Sequence, residues 1–374
     1  MTVPTNEIQQ QPPPDPASQR YTRRARIPTL VWPLLALVII LCILWFSADR
    51  TQRLGSMISV ADNAAPVMLL ALGMTLVIAT GGIDLSVGAI MALSSTVAAL
   101  LITDHHRSVP LAVAAALGAG ALAGAWNGFL VSILRIQPLV ATLVLMFAGR
   151  GVAMLLSNGQ HVRVNEPWFD FIGGGFLLGL PFSIWMVAGT LLAIALLTRR
   201  TAAGLFIESV GDNPTAARFA GVNEVGVKFS VYVVSGLCAA MAALIAASDI
   251  READANNIGL KPSPAELDAI LAVVMGGTAL AGGRFSLIGS IIGAMIVQAV
   301  TTTILTRGVA VEMTQVVKAI VVVAVALLQS PRFIALIAAP FRRRGGAGSG
   351  SGGGGGGGGA GAGGAKVRKA AGTS

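Results

Sequence analysis

The chain has 374 residues, 54% of them hydrophobic and only 11% charged, with 46 glycines and a formal net charge of +9. Soluble domains run near ~25% charged residues, so this balance, with a mean hydropathy of +0.77, excludes an ordinary soluble enzyme and indicates a polytopic membrane protein. The positive surplus would suggest nucleic acid in a soluble chain, but here the basic residues gather at the ends of apolar runs, as the positive-inside rule describes.

Residues 1–27 are polar and rich in proline (Pro12, Pro13, Pro14, Pro16) and end in Arg20, Arg23, Arg24 and Arg26. They are expected to form a disordered cytoplasmic tail. The apolar run that follows is too long for a signal peptide and lacks a small-x-small cleavage site. From there to residue 341 the chain reads as one transmembrane domain, all-α. Ten apolar segments are predicted as membrane spans: 30–47, 64–80, 86–103, 110–134, 138–156, 181–198, 229–248, 267–281, 286–306 and 312–329. With the N-terminus inside, the inner segments up to Arg344 hold fourteen Lys and Arg residues against seven outside, which supports N-in and C-in and an even number of spans. Cys42 and Cys238 both fall within spans, so neither a disulfide framework nor a zinc site is expected.

The second and third segments are separated by Gly81-Gly82-Ile83-Asp84-Leu85-Ser86-Val87-Gly88. The glycine pair frees the backbone to turn, and Asp84 or Ser86 can cap the helix that restarts. Two readings stand side by side. One is a helix-turn-helix corner with Asp84 as a cap. The other is a discontinuous helix lining a translocation path, since a carboxylate at membrane depth is tolerated only beside protein or a water-filled cavity. A shift of 201 residues lays Gly81, Gly82 and Gly88 on Gly282, Gly283 and Gly289, the trace of a parallel internal repeat or of chance among common glycines. These helix-break glycines predict broken or re-entrant helices at both corners.

Further along, Gly118–Ala123 is a small-residue packing face. Asn127 and Arg150 are polar groups within apolar spans. Each is either a pathway group or a helix-to-helix hydrogen bond. Lys318, near the end of its span, reads more simply as a structural contact or a snorkelling base. Residues 157–180 fall outside and mix Trp168, Phe169 and Phe171 with glycines, which suits an interfacial segment or a docking surface. The stretch from Asp249 through Arg251 to Asn256 and Asn257 carries carboxylates, a guanidinium and amides. Such groups bind polyhydroxylated ligands, and they also make ordinary wet loops.

The inner loop 199–228 contains its own helix signal. Asn213 can cap, Pro214 suits the first helical position, and Gly221 is a natural stop. A helix this short is not stable alone in water, so the cue points to docking. No lysine in the chain follows a glycine, hence no G-x-x-x-x-G-K-[ST] phosphate loop is present. His105, His106 and His161 lack metal-ligand or triad company, and no catalytic centre or metal site is predicted. Residues 342–374 begin with arginines, continue as a Gly-rich run and end in a short basic stretch. They are expected to be a flexible tail.

Several motifs agree in order with one family. GGIDLSVG (Gly81–Gly88), IQPLVATL (Ile136–Leu143), AGRG (Ala148–Gly151), the inner loop Glu208–Asn223 and LDAILAVVMGGTALAGGR (Leu267–Arg284) resemble the ribose-type permeases, membrane subunits of bacterial ATP-binding-cassette sugar importers. The likeness runs over roughly residues 28–340. DIREADANN (Asp249–Asn257), VEMTQVVKAIV (Val311–Val321) and SPRFIALI (Ser330–Ile337) are similar to the galactofuranose branch of that family. The resemblance implies an inner-membrane, multi-pass permease that is not itself an enzyme. Its partners would be a second permease subunit, identical or not, a periplasmic sugar-binding protein, and a cytoplasmic ATPase that binds ATP and Mg in this chain's stead. It further implies that Asn213, Pro214, Ala216, Ala217 and Gly221 form the coupling helix seated on that ATPase, and that Asp84, Asn127 and Arg150 line or brace the pathway. The alternative from the residues alone is a proton- or ion-coupled secondary transporter using Asp84 as its carrier.

Overall fold

The computed structural model describes residues 31–47, 53–253, 264–306 and 313–329. The two tails and Asn256 lie outside the described residues. The described chain is mostly helical: α1 (Val31–Ser47), α2 (Arg53–Ala79), α3 (Val87–Thr103), α4 (Val109–Gly128), α5 (Pro138–Leu156), α6 (Pro167–Gly174), α7 (Phe182–Arg200), α8 (Ala203–Asp212), α9 (Pro214–Phe219), α10 (Glu224–Ile250), α11 (Ala265–Met275), α12 (Leu287–Thr306) and α13 (Met313–Gln329). A π turn, Phe129–Ile133, closes α4.

Each of the ten apolar segments overlaps a helix, though 267–281 runs six residues past the end of α11 at Met275, and the helices differ in reach. Six are long and apolar enough to cross a bilayer: Met57–Ala79, Val109–Ile133, Pro138–Leu156, Phe182–Arg200, Glu224–Ile250 and Leu287–Leu305. Val31–Phe46, Val87–Thr103 and Met313–Ala324 are shorter apolar helices, and α11 has only 11 residues. The shortening has a local cause on α3 and α11. The first cannot begin before the Gly81–Ser86 corner, and the second ends at Gly276-Gly277, where Gly277 takes a φ of 87°. In the other direction α2 extends well upstream of residue 64. Asp62 and Asn63 look like loop residues in sequence, yet Ser183 Oγ donates to the Asp62 carboxylate and Asn63 Nδ2 donates to the Ser59 carbonyl at 2.7 Å.

Burial sorts the helices. The apolar window of α2 is 83% buried, those of α10 and α12 are 67% and 61%, and those of α4, α5 and α7 fall below a third. Thus α2, apolar on all sides, runs through the centre, packed by α10, α11 and α12. The outer helices present Leu122, Phe147, Leu155 and Leu192 outward, as lipid-facing or partner-facing surfaces do.

Small residues bring α4 and α10 together. A Cβ on Gly120 would lie 2.6 Å from the Gly236 carbonyl, and one on Gly124 would lie 2.4 Å from that of Tyr232. Half of the expected Gly118–Ala123 face is therefore realised: Gly120 packs, whereas Gly118 meets nothing within 4 Å.

At the opposite end from residues 199–223, β1 (Val162–Arg163) pairs antiparallel with β4 (Glu252–Ala253), Val162 facing Ala253. Phe176–Leu177 and Leu180–Pro181 (β2 and β3) form a hairpin whose turn, Leu178-Gly179, has positive φ at both residues, the twist a two-residue hairpin prefers. The segment 157–180 therefore includes a docked helix: Phe169 is fully buried, and Ser248 Oγ on α10 accepts from Gly173 N–H at 2.8 Å and donates to the Phe169 carbonyl at 2.6 Å.

Candidate functional site

Two polar layers cross the apolar bundle. The first is built around Asp84, which follows the broken end of α2. Gly81 has a φ of 79°, the left-handed conformation that glycine reaches at little cost, so the chain leaves the helix and turns back under it. Asp84 Oδ1 accepts from Ser86 N–H at 3.0 Å and from Ser86 Oγ at 2.6 Å, an Asx-type turn. Its Oδ2 accepts from Ser235 Oγ of α10 at 2.9 Å. Asn127 Nδ2 of α4 donates to Ser86 Oγ at 2.7 Å, and Thr142 of α5 donates to the Ile83 carbonyl at 3.3 Å. Three helices, α4, α5 and α10, thus hold one corner through side-chain hydrogen bonds.

The depth of this layer follows from helix rise. Ser235 lies about 16 Å from the first residue of α10 and about 22 Å from its last. A carboxylate so placed would be prohibitively costly without donors; here it has three. Asp84 and Asn127 are both 0% exposed, so they brace the corner rather than present themselves to an open channel in this conformation. Asn127 Oδ1 and Tyr232 OH, beside them, find no hydrogen-bond partner. Asp84 thus holds the turn before α3, whose N-cap is Ser86, and is not itself the cap of that helix.

The second layer is built on the first turn of α11, where Glu266 and Asp268 point to different neighbours. Arg150 of α5 donates to Glu266 Oε1 at 2.9 Å. Lys318 of α13 donates to both oxygens of Asp268, at 3.1 and 2.9 Å. Arg150 sits about 9 Å short of the end of α5, and Lys318 about 8 Å inside the start of α13. Both are therefore within the bundle rather than at its rim. Lys318 is 5% exposed, which makes it an interhelical ion pair and not a snorkelling base. Neither carboxylate was legible as a partner in sequence: Arg150 and Glu266 are 116 residues apart, Asp268 and Lys318 50 apart.

Asp249 and Arg251 are not part of either layer. Ser235 and Asp249 are separated by about 21 Å of α10, and Asp249 is exposed at its far end. Arg251 adopts a left-handed φ of 54° after the helix and pairs with Asp170 of α6 at 3.1 Å. Nearby, Glu252 bridges His161 at 2.8 Å and Arg163 at 3.8 Å. This is a charged surface at one end of the bundle.

The other end carries α8 and α9. Asn213 Oδ1 accepts from Ala216 N–H at 3.0 Å, Pro214 occupies the first helical position, and Gly221 takes a φ of 86°, as the sequence signal required. Ala217 is buried while Ala216, Arg218, Phe219 and Gly221 are exposed, Phe219 at 84%. Alongside lies a cavity of about 330 Å³ whose lining includes Arg135, Arg218, Glu224 and Lys228. The preceding α8 was not foreseen as a helix. It reaches the glycine corners directly: a Cβ on Gly211 would fall 1.8 Å from the Ala79 carbonyl and 2.5 Å from Gly283 N. Gly283 N–H donates to that same carbonyl at 2.9 Å, with Gly282 and Gly283 at φ of 91° and 90°. The two corners predicted from the sequence echo therefore meet each other, with α8 against both. Gly88 instead faces Glu266 in the second layer, and Gly82 faces Tyr232.

Residues 56–326 match the family described as branched-chain amino acid transport system / permease component. The chain is 53% identical over 324 residues to the galactofuranose transporter permease protein YtfT of Escherichia coli (strain K12), covering 84% of this chain and 94% of that one. It is 38% identical to the fructose import permease protein FruF of Bifidobacterium longum, over 84% of this chain and 91% of the relative. With the ribose import permease protein RbsC of E. coli (strain K12) it shares 35% identity over 80% and 93%. No solved structure matches the chain. An apolar helical bundle with charges paired inside it, an exposed capped helix at one end and this match over most of its length make the chain a member of the ribose-type branch of that permease family, an inner-membrane transport subunit and not an enzyme.

Proposed function

We propose that this chain is one permease subunit of an ATP-driven importer of a monosaccharide, with galactofuranose as the first sugar to test. The observation that carries this reading is the 53% identity to the galactofuranose permease across nearly the whole of both chains. The ten helical segments cross the membrane with both termini inside, which sets α8, α9 and the basic cavity in the cytoplasm in accord with the positive-inside rule. The transmembrane domain runs from 28 to 341, flanked by cytoplasmic tails at 1–27 and 342–374. ATP and Mg are bound by a separate ATPase, a second permease completes the path, and a periplasmic binding protein delivers the sugar to the opposite end, near Arg251 and Asp249.

In this scheme Asn213, Pro214, Ala216, Ala217 and Gly221 form the foot on which the ATPase acts. A helix of 6 residues gains its stability from packing, and its outward face, Phe219 and Arg218, is free for a partner. Asp84 and Asn127 brace the helix break. Arg150, half-exposed on α5, lies against the path.

Reconstituting the permease with its ATPase and binding protein and measuring ATP-dependent galactofuranose uptake tests the reading. Replacing Gly221 by Arg should abolish uptake with the chain still inserted, since a side chain at a φ of 86° distorts the end of the foot. Uptake by the purified chain alone, driven by an ion gradient, would refute the scheme.

A further inference from the structure

We infer that Glu266 and Arg150 together form a recognition point for a hydroxyl group of the passing sugar, a proposal that rests on the importer reading above. The two ion pairs of the second layer leave the same helical turn but differ in kind. Lys318 closes on both oxygens of Asp268, and that pair is sealed, with side chains 5% and 7% exposed. Arg150 uses one nitrogen on one oxygen of Glu266, although a guanidinium can engage a carboxylate through two. Its side chain remains 35% exposed. Glu266 Oε2 is buried and has no hydrogen-bond partner.

An unsatisfied carboxylate oxygen inside a protein is costly and calls for an explanation. Oε2 is an acceptor awaiting a donor, and the guanidinium beside it has N–H groups to spare. A sugar hydroxyl both donates and accepts, so it can satisfy the two at once. An ion pair also carries no net charge, which suits a neutral polyol and repels neither a cation nor an anion strongly.

Gly88 packs directly against the acceptor: a Cβ there would lie 2.3 Å from Glu266 Oε2 and 3.4 Å from Arg150, so only glycine lets the carboxylate lie where it does. Gly151 has nothing within 4 Å of a would-be Cβ and shares the outward face of α5 with Phe147 and Leu155, 70% and 78% exposed. The pair is therefore open on the Arg150 side, whose side chain is 35% exposed, against 7% for Glu266.

The test uses the complete importer in proteoliposomes, with binding protein saturated by galactofuranose or by each of its monodeoxy analogues, so that rates report translocation after capture. For the wild type, one analogue should cross about tenfold more slowly than the parent, the loss of one hydrogen bond to a charged group. Glu266→Gln should slow the parent to a similar degree and erase the difference between parent and that analogue, while loaded binding protein still stimulates ATP hydrolysis. Unchanged discrimination in the variant overturns the proposal, as does a uniform loss of uptake accompanied by loss of ATPase stimulation, which marks a structural role. If Glu266→Gln does not assemble, the same comparison on Glu266→Asp, which keeps the charge but withdraws it by one methylene, decides the matter by the same outcomes. A wild-type complex that moves no sugar overturns the importer reading as well, whereas a working wild type with an indifferent variant overturns this inference alone.

Discussion

The Lys318–Asp268 pair offers a quantitative check on how α11 is held. Lys318→Met removes the ammonium and leaves the Asp268 carboxylate, 5% exposed, without the two contacts of 2.9 and 3.1 Å. At an effective dielectric constant near ~20, charges about 3 Å apart attract by roughly 5 kcal/mol. Removing one partner of a buried pair costs about 3–5 kcal/mol, because the remaining charge stays desolvated. Replacing both, in Lys318→Met with Asp268→Leu, removes the buried carboxylate as well and should recover most of that loss. The assay is a denaturant titration of the purified permease in detergent, run on the wild type, both single variants and the double, so that the four free energies form a cycle. Expected are two strongly destabilised single variants and a double variant closer to the wild type than to either. Single variants within about 1 kcal/mol of the wild type, the size of an exposed pair, would refute the idea that this charge is sealed in the bundle.

Two other expectations concern the first layer and its link to the foot. Asp84→Leu strands the donors of Ser86 and Ser235 in an apolar interior, at about 1–3 kcal/mol for each unsatisfied group, whereas Asp84→Asn retains an acceptor oxygen. Thermal unfolding should therefore rank wild type above Asn and Asn well above Leu, and equal melting of the two variants would count against the brace. Gly211→Val forces a side chain into the space between the Ala79 carbonyl and Gly283 N–H, an overpacking of about 1–3 kcal/mol or more. Uptake should fall steeply in vesicles where the ATPase still co-purifies with the permease and still hydrolyses ATP; full uptake would mean that α8 does not act on the corners.

What the sequence discloses here depends on how local the cause is. The foot was legible because Asn213, Pro214 and Gly221 act within one turn: a cap, a first-position proline and a left-handed stop need no knowledge of the rest. The Gly81 corner was legible for the same reason. By contrast α8 carries no terminal signal of comparable strength, and its buried stripe of Gly204, Ile207 and Val210 becomes apolar in period only once the glycine is known to face inward. Its N-cap, Ala202, makes no side-chain hydrogen bond. Glu266 and Asp268 look like the wet margin of a span because α11 begins just before them, and only partners far along the chain turn them into interior charges. Asn127 and Arg150 were visible as polar residues in apolar runs. Their sequence positions could not distinguish the first, fully buried on Ser86, from the second, which keeps a third of its side chain exposed.

The glycines that echo across 201 residues do not build two copies of one corner. Gly81 takes a positive φ while Gly82 does not, whereas Gly282 and Gly283 both do. Gly82 N–H returns to Val77 of its own helix, while Gly283 N–H crosses to Ala79 at 2.9 Å. That asymmetry has a mechanical consequence. The carbonyl of Ala79 terminates the central helix, and it is held by the backbone of the second corner while the backbone of α8 lies against both. No side chain is interposed at Gly211 to absorb a displacement, and backbone contacts this close leave little slack. The backbone of α8 is thus in direct contact with both the end of α2 and the segment leading into α12, so a displacement of α8 would meet both. These two segments flank α11, whose upper turn is fixed by the Arg150 and Lys318 pairs. If α9 is where an ATPase acts, motion entering there would reach the eleven residues of α11 through the glycines at Gly276-Gly277, and because Ala269, Ala272, Val273 and Met275 belong to the main core, any shift of that helix has to be shared with the centre of the bundle.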